Sequence, residues 1–305
     1  MEYKVTIGIP FFNAEECLLD AIKSVFAQTI SQWELILVDD GSSDLSLEIA
    51  KSIDDPRVKV FSDGRNKGLA ARLNDIAEWA NAPYVARMDA DDLMAPERIE
   101  RQLEVLEKHR RFDLVSTGLC SVNDRDEPKS IRVYREKPLR TKDFLNGGSG
   151  IVHASVVARK SWLIRNKYDT SMNLVEDYEL WLRAFINRDL SYYLIDQPYY
   201  YYRENGSVVH RKMVTAYKNQ IKVQGYYRKN VIKKRDKFSV FVHYRVRLLV
   251  ARLFFYFEVG FLLKEMRMLR NKKPYNYNYE KIEMDIRNIK NVDVPTLRVG
   301  GVSGD

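Results

Sequence analysis

Apolar residues in the first third of the chain follow two alternating periods, and this alternation predicts four strand–helix units. Short, continuously apolar runs predict strands at residues 5–9, 34–38, 58–61 and 84–86. After each run, apolar side chains recur every three or four residues, as they do along one face of a helix. A series of such units is typical of an α/β fold with a doubly wound, mostly parallel sheet and flanking helices.

The first helix carries a local start signal. Asn13 followed by Glu16 is similar to a capping box, with asparagine in place of serine or threonine. This pair predicts that the helix begins near Asn13.

Polar side chains come directly after the predicted strands. Asn13 follows the first strand, Asp39 and Asp40 follow the second, and Asp63 follows the third. The carboxyl ends of parallel strands meet at one edge of the sheet, where ligands bind in folds of this class. We therefore expect one acidic crevice at this edge.

The fourth strand ends in an acidic turn, with Asp89, Asp91 and Asp92 packed into four residues. In water, like charges a few ångström apart repel by roughly 1 kcal/mol, and the repulsion is larger in a cleft. A fold tolerates such a cluster best when a divalent cation such as Mg²⁺ or Mn²⁺ neutralises it. The turn therefore predicts a metal site.

Several other kinds of site are excluded by the sequence. A calcium loop that started at Asp89 would end on Glu100, but Met94 stands where the loop needs glycine and Leu93 where it needs a ligand. No Gly-x-Gly-x-x-Gly follows the first strand and no Gly-Lys-Ser/Thr loop occurs, which argues against dinucleotide and P-loop sites. A solvated acidic turn remains an alternative, although it does not account for the acids after the second strand.

Six motifs occur in the order that characterises one enzyme family. Residues 4 to about 210 resemble the family 2 inverting glycosyltransferases of the GT-A fold. The motifs are Ile9-Pro10-Phe11-Phe12-Asn13, Gln28-Thr29, Val38-Asp39-Asp40-Gly41-Ser42-Ser43-Asp44, Asn66-Lys67-Gly68, Met88-Asp89-Ala90-Asp91-Asp92, and Glu176-Asp177 with Leu180-Trp181.

The resemblance implies a GT-A fold with a nucleotide-sugar site at the acidic edge. It implies that Asp39 receives the base of the nucleotide, with Pro10 and Phe12 lining that pocket. Asp89 would contact the ribose, and Asp91 would hold the divalent cation that bridges the two phosphates. The same resemblance assigns three more residues to the nucleotide-sugar side, namely Asn66, Arg72 and Ala90.

Asp177 matches the general base of the family. Glu176 and Glu179 lie close to it in sequence and are the alternatives for this function. Without the resemblance, acids in the first turn of a helix would need no other explanation than the helix dipole.

A basic segment follows the last motif. Arg203, His210 and Arg211 would close over the diphosphate as a lid, as this segment often does in related enzymes. A solvated basic linker is the alternative. His153 is left unassigned, because an isolated histidine is more often an ordinary polar residue.

The charge of the chain is unevenly distributed. The 305 residues carry a net charge of +8, yet residues 206–305 hold 22 Lys and Arg against 8 Asp and Glu. We therefore predict a catalytic domain over residues 1–205 and a basic, aromatic, mainly helical region over residues 206–305, with the boundary near Gly206. At 45% hydrophobic residues, the chain has ample material for a packed core.

The cysteines and the N-terminus indicate the compartment. Cys17 and Cys120 have no second cysteine or histidine at zinc spacing, so we interpret both as buried thiols in a reducing environment. The first residues lack the basic leader and the length of a signal peptide. We expect a cytoplasmic protein.

The basic C-terminal region has two interpretations. The apolar stretch at residues 248–263 is 16 residues long, short of the roughly 20 needed to span a bilayer, and its charges do not gather on one helical side. Its helices could pack on the catalytic domain or on a second subunit of a homo-oligomer. Alternatively, the region could lie peripherally on anionic lipid at the inner face of the plasma membrane, which we favour slightly.

The leading hypothesis is an inverting, metal-dependent glycosyltransferase. It would move a sugar from a nucleotide-diphosphate sugar, with a UDP-sugar expected, to a saccharide or lipid-linked saccharide in cell-surface polysaccharide or glycoconjugate synthesis, with Mn²⁺ or Mg²⁺ as cofactor. A sugar nucleotidyltransferase would need a glycine-rich, basic loop after the first strand, which is not found. A non-enzymatic membrane-binding or nucleic-acid-binding protein is the third hypothesis, but the acidic crevice would repel nucleic-acid phosphates.

Overall fold

Nine strands form one sheet in this computed structural model, which describes residues 2–135, 140–204, 210–231, 237–256 and 277–296. The strands are β1 (Val5–Phe11), β2 (Trp33–Asp39), β3 (Val58–Ser62), β4 (Tyr84–Arg87), β5 (Leu93–Met94), β6 (Leu114–Val122), β7 (Pro128–Arg132), β8 (Val157–Arg159) and β9 (Tyr192–Arg203). Their order is β3-β2-β1-β4-β8-β6-β9-β5, and β7 pairs with β6.

The predicted strand–helix units form the parallel half of this sheet. Strands β3, β2, β1 and β4 are mutually parallel. The helices that follow β1, β2, β3 and β5 are α1 (Leu18–Phe26), α2 (Ser46–Lys51), α3 (Leu69–Trp79) and α4 (Arg98–Lys108). The predicted fold class, α/β with flanking helices, is confirmed.

The other half of the sheet is mixed. Strand β8 is antiparallel to β4 and to β6, whereas β6 and β9 run parallel. The helices of this half are α5 (Thr141–Leu145), α6 (Lys160–Arg165) and α7 (Glu176–Ile186), with a 3₁₀ turn at His153–Ser155. Because periodicity is weak after Asp113, the sequence did not predict these strand pairings.

The end of β1 illustrates how closely the parallel half is packed. A Cβ added at Gly8 would lie 2.4 Å from Cγ2 of Ile76, so α3 packs directly on the strand. Pro10 lies beyond Gly8, the last β1 residue that pairs with β4. Proline has no N–H to donate, but the pairing of β1 with β4 has already ended at this position, so no hydrogen bond between these strands is lost.

The predicted start of α1 is wrong. The helix begins at Leu18, and Asn13 has a positive φ of 49°. The Asn13 Oδ1 atom accepts a hydrogen bond from the Ser43 N–H at 2.8 Å. Asn13 therefore joins the loop after β1 to the loop after β2 and does not cap a helix.

Within the described residues, three helices follow the sheet: α8 (His210–Val231), α9 (Lys237–Tyr256) and α10 (Tyr279–Lys290). Val223 of α8 and Tyr244 of α9 are buried in the same apolar cluster as α7, and Ile286 of α10 is buried with residues of β5 to β7 and β9. The predicted boundary near Gly206 lies outside the described residues. Within the described part, no helix combines the length and apolar character needed to cross a membrane.

The two cysteines form no disulfide. Cys120 is buried in β6, and Cys17 is half-buried just before α1. Burial, followed by the charge of Asp91, raises the pKa of the Cys17 thiol to about 11.

Candidate active site

The carboxyl ends of β1 and β2 carry the predicted base-binding residues. Asp39 ends β2 and is almost fully buried, and its carboxylate accepts hydrogen bonds from the Ser42 N–H at 2.9 Å and the Ser62 Oγ at 2.7 Å. Burial acts to raise the pKa of Asp39, but these hydrogen bonds outweigh it and lower the pKa. Pro10 is buried beside this edge, whereas 49% of Phe12 is exposed. Asp39 is therefore a fixed, ionised carboxylate.

Arg72 connects the neighbouring loops. It is 1% exposed, its Nε lies 2.8 Å from Oδ1 of Asp40, and its Nη2 lies 2.7 Å from Oδ1 of Asp63. Asp40 also accepts a hydrogen bond from the Lys67 N–H in the loop that holds the exposed Asn66. In this structure Arg72 holds two carboxylates in place.

The acidic turn after β4 brings its three carboxylates together. Oxygen atoms of Asp89, Asp91 and Asp92 all lie within 4.8 Å of one another. Asp89 pairs with Arg87, with 2.6 Å between Oδ1 and Nη2. Ala90, which sits between the acids, is buried.

The Asp92 carboxylate finds its hydrogen-bond donors inside the protein. It is fully buried, and it accepts hydrogen bonds from the Tyr200 hydroxyl and from the Arg203 N–H, each at 2.8 Å. The Tyr200 oxygen also accepts a hydrogen bond from the Asp89 N–H at 3.2 Å. Strand β9 therefore holds the turn through the Tyr200 hydroxyl and the Arg203 N–H.

Asp91 is the member of the cluster that remains open. It is exposed, and among the described residues no side chain donates a hydrogen bond to its carboxylate or forms an ion pair with it. Neighbouring protein atoms keep part of the water away from the Asp91 carboxylate and raise its pKa, and the charge of Asp89 raises it further. One free carboxylate beside two others fits Mg²⁺ or Mn²⁺, which typically take one or two carboxylates together with substrate phosphates.

The predicted lid residues lie in two different elements, the end of β9 and the start of α8. The Arg203 side chain is buried at the end of β9, with Nε 2.6 Å from Asp126 Oδ1 and Nη2 2.8 Å from Asp20 Oδ2. His210 and Arg211 begin α8, but their side chains lie outside the described part of the structure. Lid closure by these residues stays a prediction.

A cleft of about 790 Å³ lies beside the acidic turn. Asp89 and Asp177 both line it, together with Arg87, His153 and the loop of residues 147–150. The chain thus brings two of the predicted site residues, 88 positions apart in sequence, to one cavity. Pro10, Phe12, Asp39, Asn66 and Arg72 are not among the residues that line this cleft.

Asp177 lies in the first turn of α7. Its Oδ1 accepts a hydrogen bond from the Tyr178 N–H at 2.7 Å. Burial raises the pKa of Asp177, although this hydrogen bond and the charge of Arg87 act in the opposite direction. A carboxylate with a raised pKa is a stronger base than an exposed one, which suits proton abstraction.

The two alternatives to Asp177 differ from it. Glu179 is buried and accepts hydrogen bonds from Arg183 Nε at 2.9 Å and from the Tyr227 hydroxyl at 2.6 Å. Glu176 is half-buried, and burial raises its pKa, but it is not among the residues that line the cleft.

Two residues of the site were missed from the sequence. Arg87 pairs with Asp89 and faces the cleft, and its Nε atom has no partner in the described part of the chain. A basic residue at the end of a strand next to an acidic turn could have indicated it. Tyr200 lies 108 residues from Asp92, and no local pattern signals this contact.

His153 is a neutral lining residue. Its Nε2 lies 2.8 Å from the Tyr168 hydroxyl, and burial followed by the charge of Arg87 lowers its pKa well below the usual value. It therefore offers hydrogen bonding without charge in the cleft.

Comparison with known families identifies relatives of this chain. Residues 6–168 match the family described as Glycosyl transferase family 2. The putative glycosyltransferase EpsE of Bacillus subtilis (strain 168) is 34% identical over 218 residues, which is 70% of this chain and 77% of that protein.

Solved structures share the fold. TarS 1-349 of S. aureus, in complex with UDP, aligns with a TM-score of 0.58 and 18% identity, over 79% of this chain and 70% of that chain. The mannosyltransferase PcManGT from Pyrobaculum calidifontis, in complex with GDP-Man and Mn²⁺, aligns with a TM-score of 0.55 and 16% identity, over 95% and 86% of the two chains.

Proposed function

Because this chain belongs to glycosyl transferase family 2 and is a glycosyltransferase, we propose that it transfers a sugar, with inversion, from a nucleotide-diphosphate sugar to an acceptor hydroxyl. The observation that carries this proposal is the shared cleft of Asp89 and Asp177. One carboxylate belongs to the acidic turn proposed to bind the metal, and the other, Asp177, lies in the first turn of α7. This arrangement suits a single displacement with one base.

On the donor side, Asp39 receives the nucleotide base, and Pro10 and Phe12 line its pocket. The low pKa of Asp39 keeps it an acceptor for the N–H groups of a base. Asp89 contacts the ribose, next to Ala90. We propose a UDP-sugar as donor, and the UDP bound to TarS supports this choice. PcManGT binds GDP-Man, so the experiment below compares UDP-sugars with GDP-sugars.

Asn66 and Arg72 act on the nucleotide side in different ways. Asn66 is exposed and free to approach the donor, whereas Arg72 is buried behind Asp40 and Asp63. We assign Arg72 to positioning the loops around the nucleotide.

Asp91 is the proposed ligand of Mn²⁺ or Mg²⁺. A bound divalent cation would neutralise the charge of the diphosphate leaving group. The Mn²⁺ in PcManGT supports this assignment, as does the open carboxylate of Asp91. His210 and Arg211 would close over the diphosphate, whereas Arg203, paired with Asp126 and Asp20, would anchor the start of this segment.

Asp177 is the proposed general base. It takes the proton of the acceptor hydroxyl while the hydroxyl oxygen forms a bond to the anomeric carbon. The bond from that carbon to the diphosphate oxygen breaks at the same time, and the nucleotide diphosphate leaves with the electron pair. Attack from the face opposite the leaving group inverts the anomeric centre.

A nucleotide-release screen tests this function. UDP-, GDP- and dTDP-sugars are supplied with Mn²⁺, with Mg²⁺ or with a chelator, and release of nucleotide is measured. We expect release from UDP-sugars that needs the metal. Release that is independent of metal with every donor would contradict the metal assignment, and release from GDP-sugars alone would contradict the choice of UDP.

The acceptor is proposed to be a saccharide or a lipid-linked saccharide of a cell-surface polymer, reached at an anionic membrane surface. Helix α9 supports this location. Its exposed side chains include Phe238, Leu249, Leu253 and Tyr256, and Arg252 lies among them. Apolar side chains flanked by arginine are typical of helices that lie at a lipid interface.

Vesicle flotation tests the membrane contact. The full chain should float with phosphatidylglycerol vesicles and not with phosphatidylcholine vesicles, and Leu249→Asp with Leu253→Asp should abolish flotation. Leu45→Asp, at a 62% exposed leucine outside α9, is the matched control. Equal flotation of all variants, or none by the wild type, would reject the proposal.

A further inference from the structure

A second, smaller cavity of about 200 Å³ adjoins the cleft. Gly147, Ser149, Ile151 and Asp177 line both cavities. Asp177 therefore stands at the junction between the two. We call the smaller cavity the side chamber.

The side chamber is walled by helices that lie beyond the family match. Gln220 of α8 and Tyr244 and Arg247 of α9 line it, together with Trp181 of α7. Residues 6–168 match the family, so none of these four side chains belongs to the matched segment. The part of the chamber wall that α8 and α9 supply therefore lies outside the matched segment.

Two buried polar atoms in these walls have no partner. The Nε1 atom of Trp181 and the Oε1 atom of Gln220 form no hydrogen bond with any described residue. Trp181 is only 3% exposed. A buried polar group without a partner costs free energy, so such atoms call for a ligand or ordered water.

The chemistry of the walls fits a sugar ring. The indole N–H is a donor and the amide Oε1 is an acceptor, and a sugar hydroxyl can accept from the first and donate to the second. The chamber also has aromatic walls in Phe144, Tyr178 and Tyr244. Aromatic faces pack against the C–H groups of a pyranose, while the polar groups bind its hydroxyls.

The loop between the cavities is held in place by the same helices. Gly147 has a φ of +74°, and a Cβ added there would lie 2.6 Å from the Tyr244 hydroxyl oxygen. The carbonyl of Leu145 accepts hydrogen bonds from Tyr178 at 2.8 Å and from Gln224 of α8 at 2.7 Å. Helices α7, α8 and α9 therefore fix the opening of the chamber.

We propose that the side chamber binds the sugar ring of the acceptor and presents its hydroxyl to Asp177, while the donor sugar occupies the larger cleft. This inference rests on the proposed sugar transfer. It means that α8 and α9, outside the matched segment, select the acceptor. Water alone in the chamber is the competing occupant.

Ligand-observed saturation-transfer NMR tests the proposal. The probes are the methyl β-glycosides of glucose, galactose, mannose and N-acetylglucosamine, each titrated into the full-length protein with and without UDP and Mn²⁺. We expect at least one to bind. For that glycoside, Trp181→Phe and Gln220→Met should each weaken binding about three- to tenfold, the loss of one hydrogen bond, and leave UDP affinity unchanged.

Two matched variants control for general effects. Trp79→Phe and Gln32→Met change an exposed tryptophan and an exposed glutamine elsewhere and should bind the glycoside as the wild type does. Wild-type affinity in Trp181→Phe and Gln220→Met, or no binding of the four glycosides to the wild type, would overturn the proposal and leave water as the occupant. The titrations without UDP test glycoside binding to the side chamber independently of the donor site. Failure of UDP to bind would count against the proposed function and not against the side chamber.

Discussion

The donor edge and the acceptor side of this protein are built in opposite ways. We define the donor edge as the loops after β1 to β4, which carry Asp39 and Asp91, and the acceptor side as the start of α7, residues 147–150, α8 and α9. At the donor edge, most carboxylates already have partners, as Asp39 has Ser42 and Ser62. On the acceptor side, Trp181 and Gln220 each have a buried polar atom without a hydrogen-bond partner among the described residues.

This difference indicates how the two sides divide their functions. The donor edge arises from consecutive strand–helix units, lies within the family match, and has one open carboxylate at Asp91. The acceptor side is assembled by contacts between distant segments, in part outside that match. We infer that the donor edge performs a task shared by the family and that α8 and α9, on the acceptor side, provide what is particular to this chain.

The largest effect is expected from removing the base on the acceptor side. Asp177→Asn should lower the rate of sugar transfer about 10²- to 10⁴-fold, because the acceptor hydroxyl keeps its proton. Turnover is measured as nucleotide release with acceptor present. Glu176→Gln is the matched control and should retain most activity, since Glu176 does not line the cleft. The reverse ranking of the two variants would move the base to Glu176.

The next effect is expected at the donor edge. Asp91→Ala should lower turnover about 10²- to 10³-fold at fixed Mn²⁺, because the charge of the leaving diphosphate is no longer neutralised. The measurement is the rate at increasing Mn²⁺ concentrations. Asp124→Ala removes an exposed aspartate of the β6–β7 connection and should leave the rate unchanged. A normal metal dependence in Asp91→Ala would reject this ligand.

The raised pKa of Asp177 should be visible in the pH profile. The base works only when ionised, so kcat/KM should rise with pH until the pKa is passed and then level off. Below that pKa, activity should fall about tenfold per pH unit. Burial raises the pKa of Asp177, so the midpoint should lie above the ordinary aspartate value of about 3.9. A midpoint at or below that value would contradict a base whose pKa is raised by loss of contact with water.

A smaller effect, on stability, is expected beneath the acidic turn. Tyr200→Phe removes the hydroxyl that bonds both Asp92 and the Asp89 N–H, and it should lower the free energy of unfolding by about 1–3 kcal/mol. Asp92→Asn should likewise reduce stability in urea titrations while UDP binding with Mn²⁺ persists. Loss of UDP binding in Asp92→Asn equal to that in Asp91→Ala would show that the two carboxylates share one function.

The smallest effect is expected at the loop that separates the two cavities. Gly147→Ala should cost about 1–2 kcal/mol of unfolding free energy, because its φ of +74° is unfavourable for a residue with a Cβ. The added methyl group would also displace Tyr244. Gly225→Ala in α8 is the matched control, since a Cβ there meets nothing within 4 Å, and it should stabilise the protein by about 0.5–1 kcal/mol. Equal effects of both changes would argue against a fixed loop.

The same contrast explains what the sequence could predict. The four strand–helix units were visible because each is held by neighbours in sequence, and the acids at the ends of β2 to β4 could be expected at one edge. The side chamber was not visible, because Trp181 and Gln220 meet across distant helices. The apolar pattern around Trp181 predicts only that its ring faces inward.

Individual residues show the same limit. Asn13 has the residue type and spacing of a helix cap, yet its partner Ser43 lies in another loop. Arg72 could be named from the motif order, but its pairs with Asp40 and Asp63 required coordinates. Long-range hydrogen bonds decide such cases, and they leave no periodic signal.

Calorimetric titration of UDP with Mn²⁺ into two variants tests the central claim most directly. Asp91→Ala removes the open carboxylate of the donor edge, and Asp177→Asn removes the base of the acceptor side. The account predicts that Mn²⁺-dependent UDP binding is lost in Asp91→Ala and equals the wild type in Asp177→Asn. Binding that is retained in Asp91→Ala, or lost equally in both variants, would contradict the separation of nucleotide binding from catalysis.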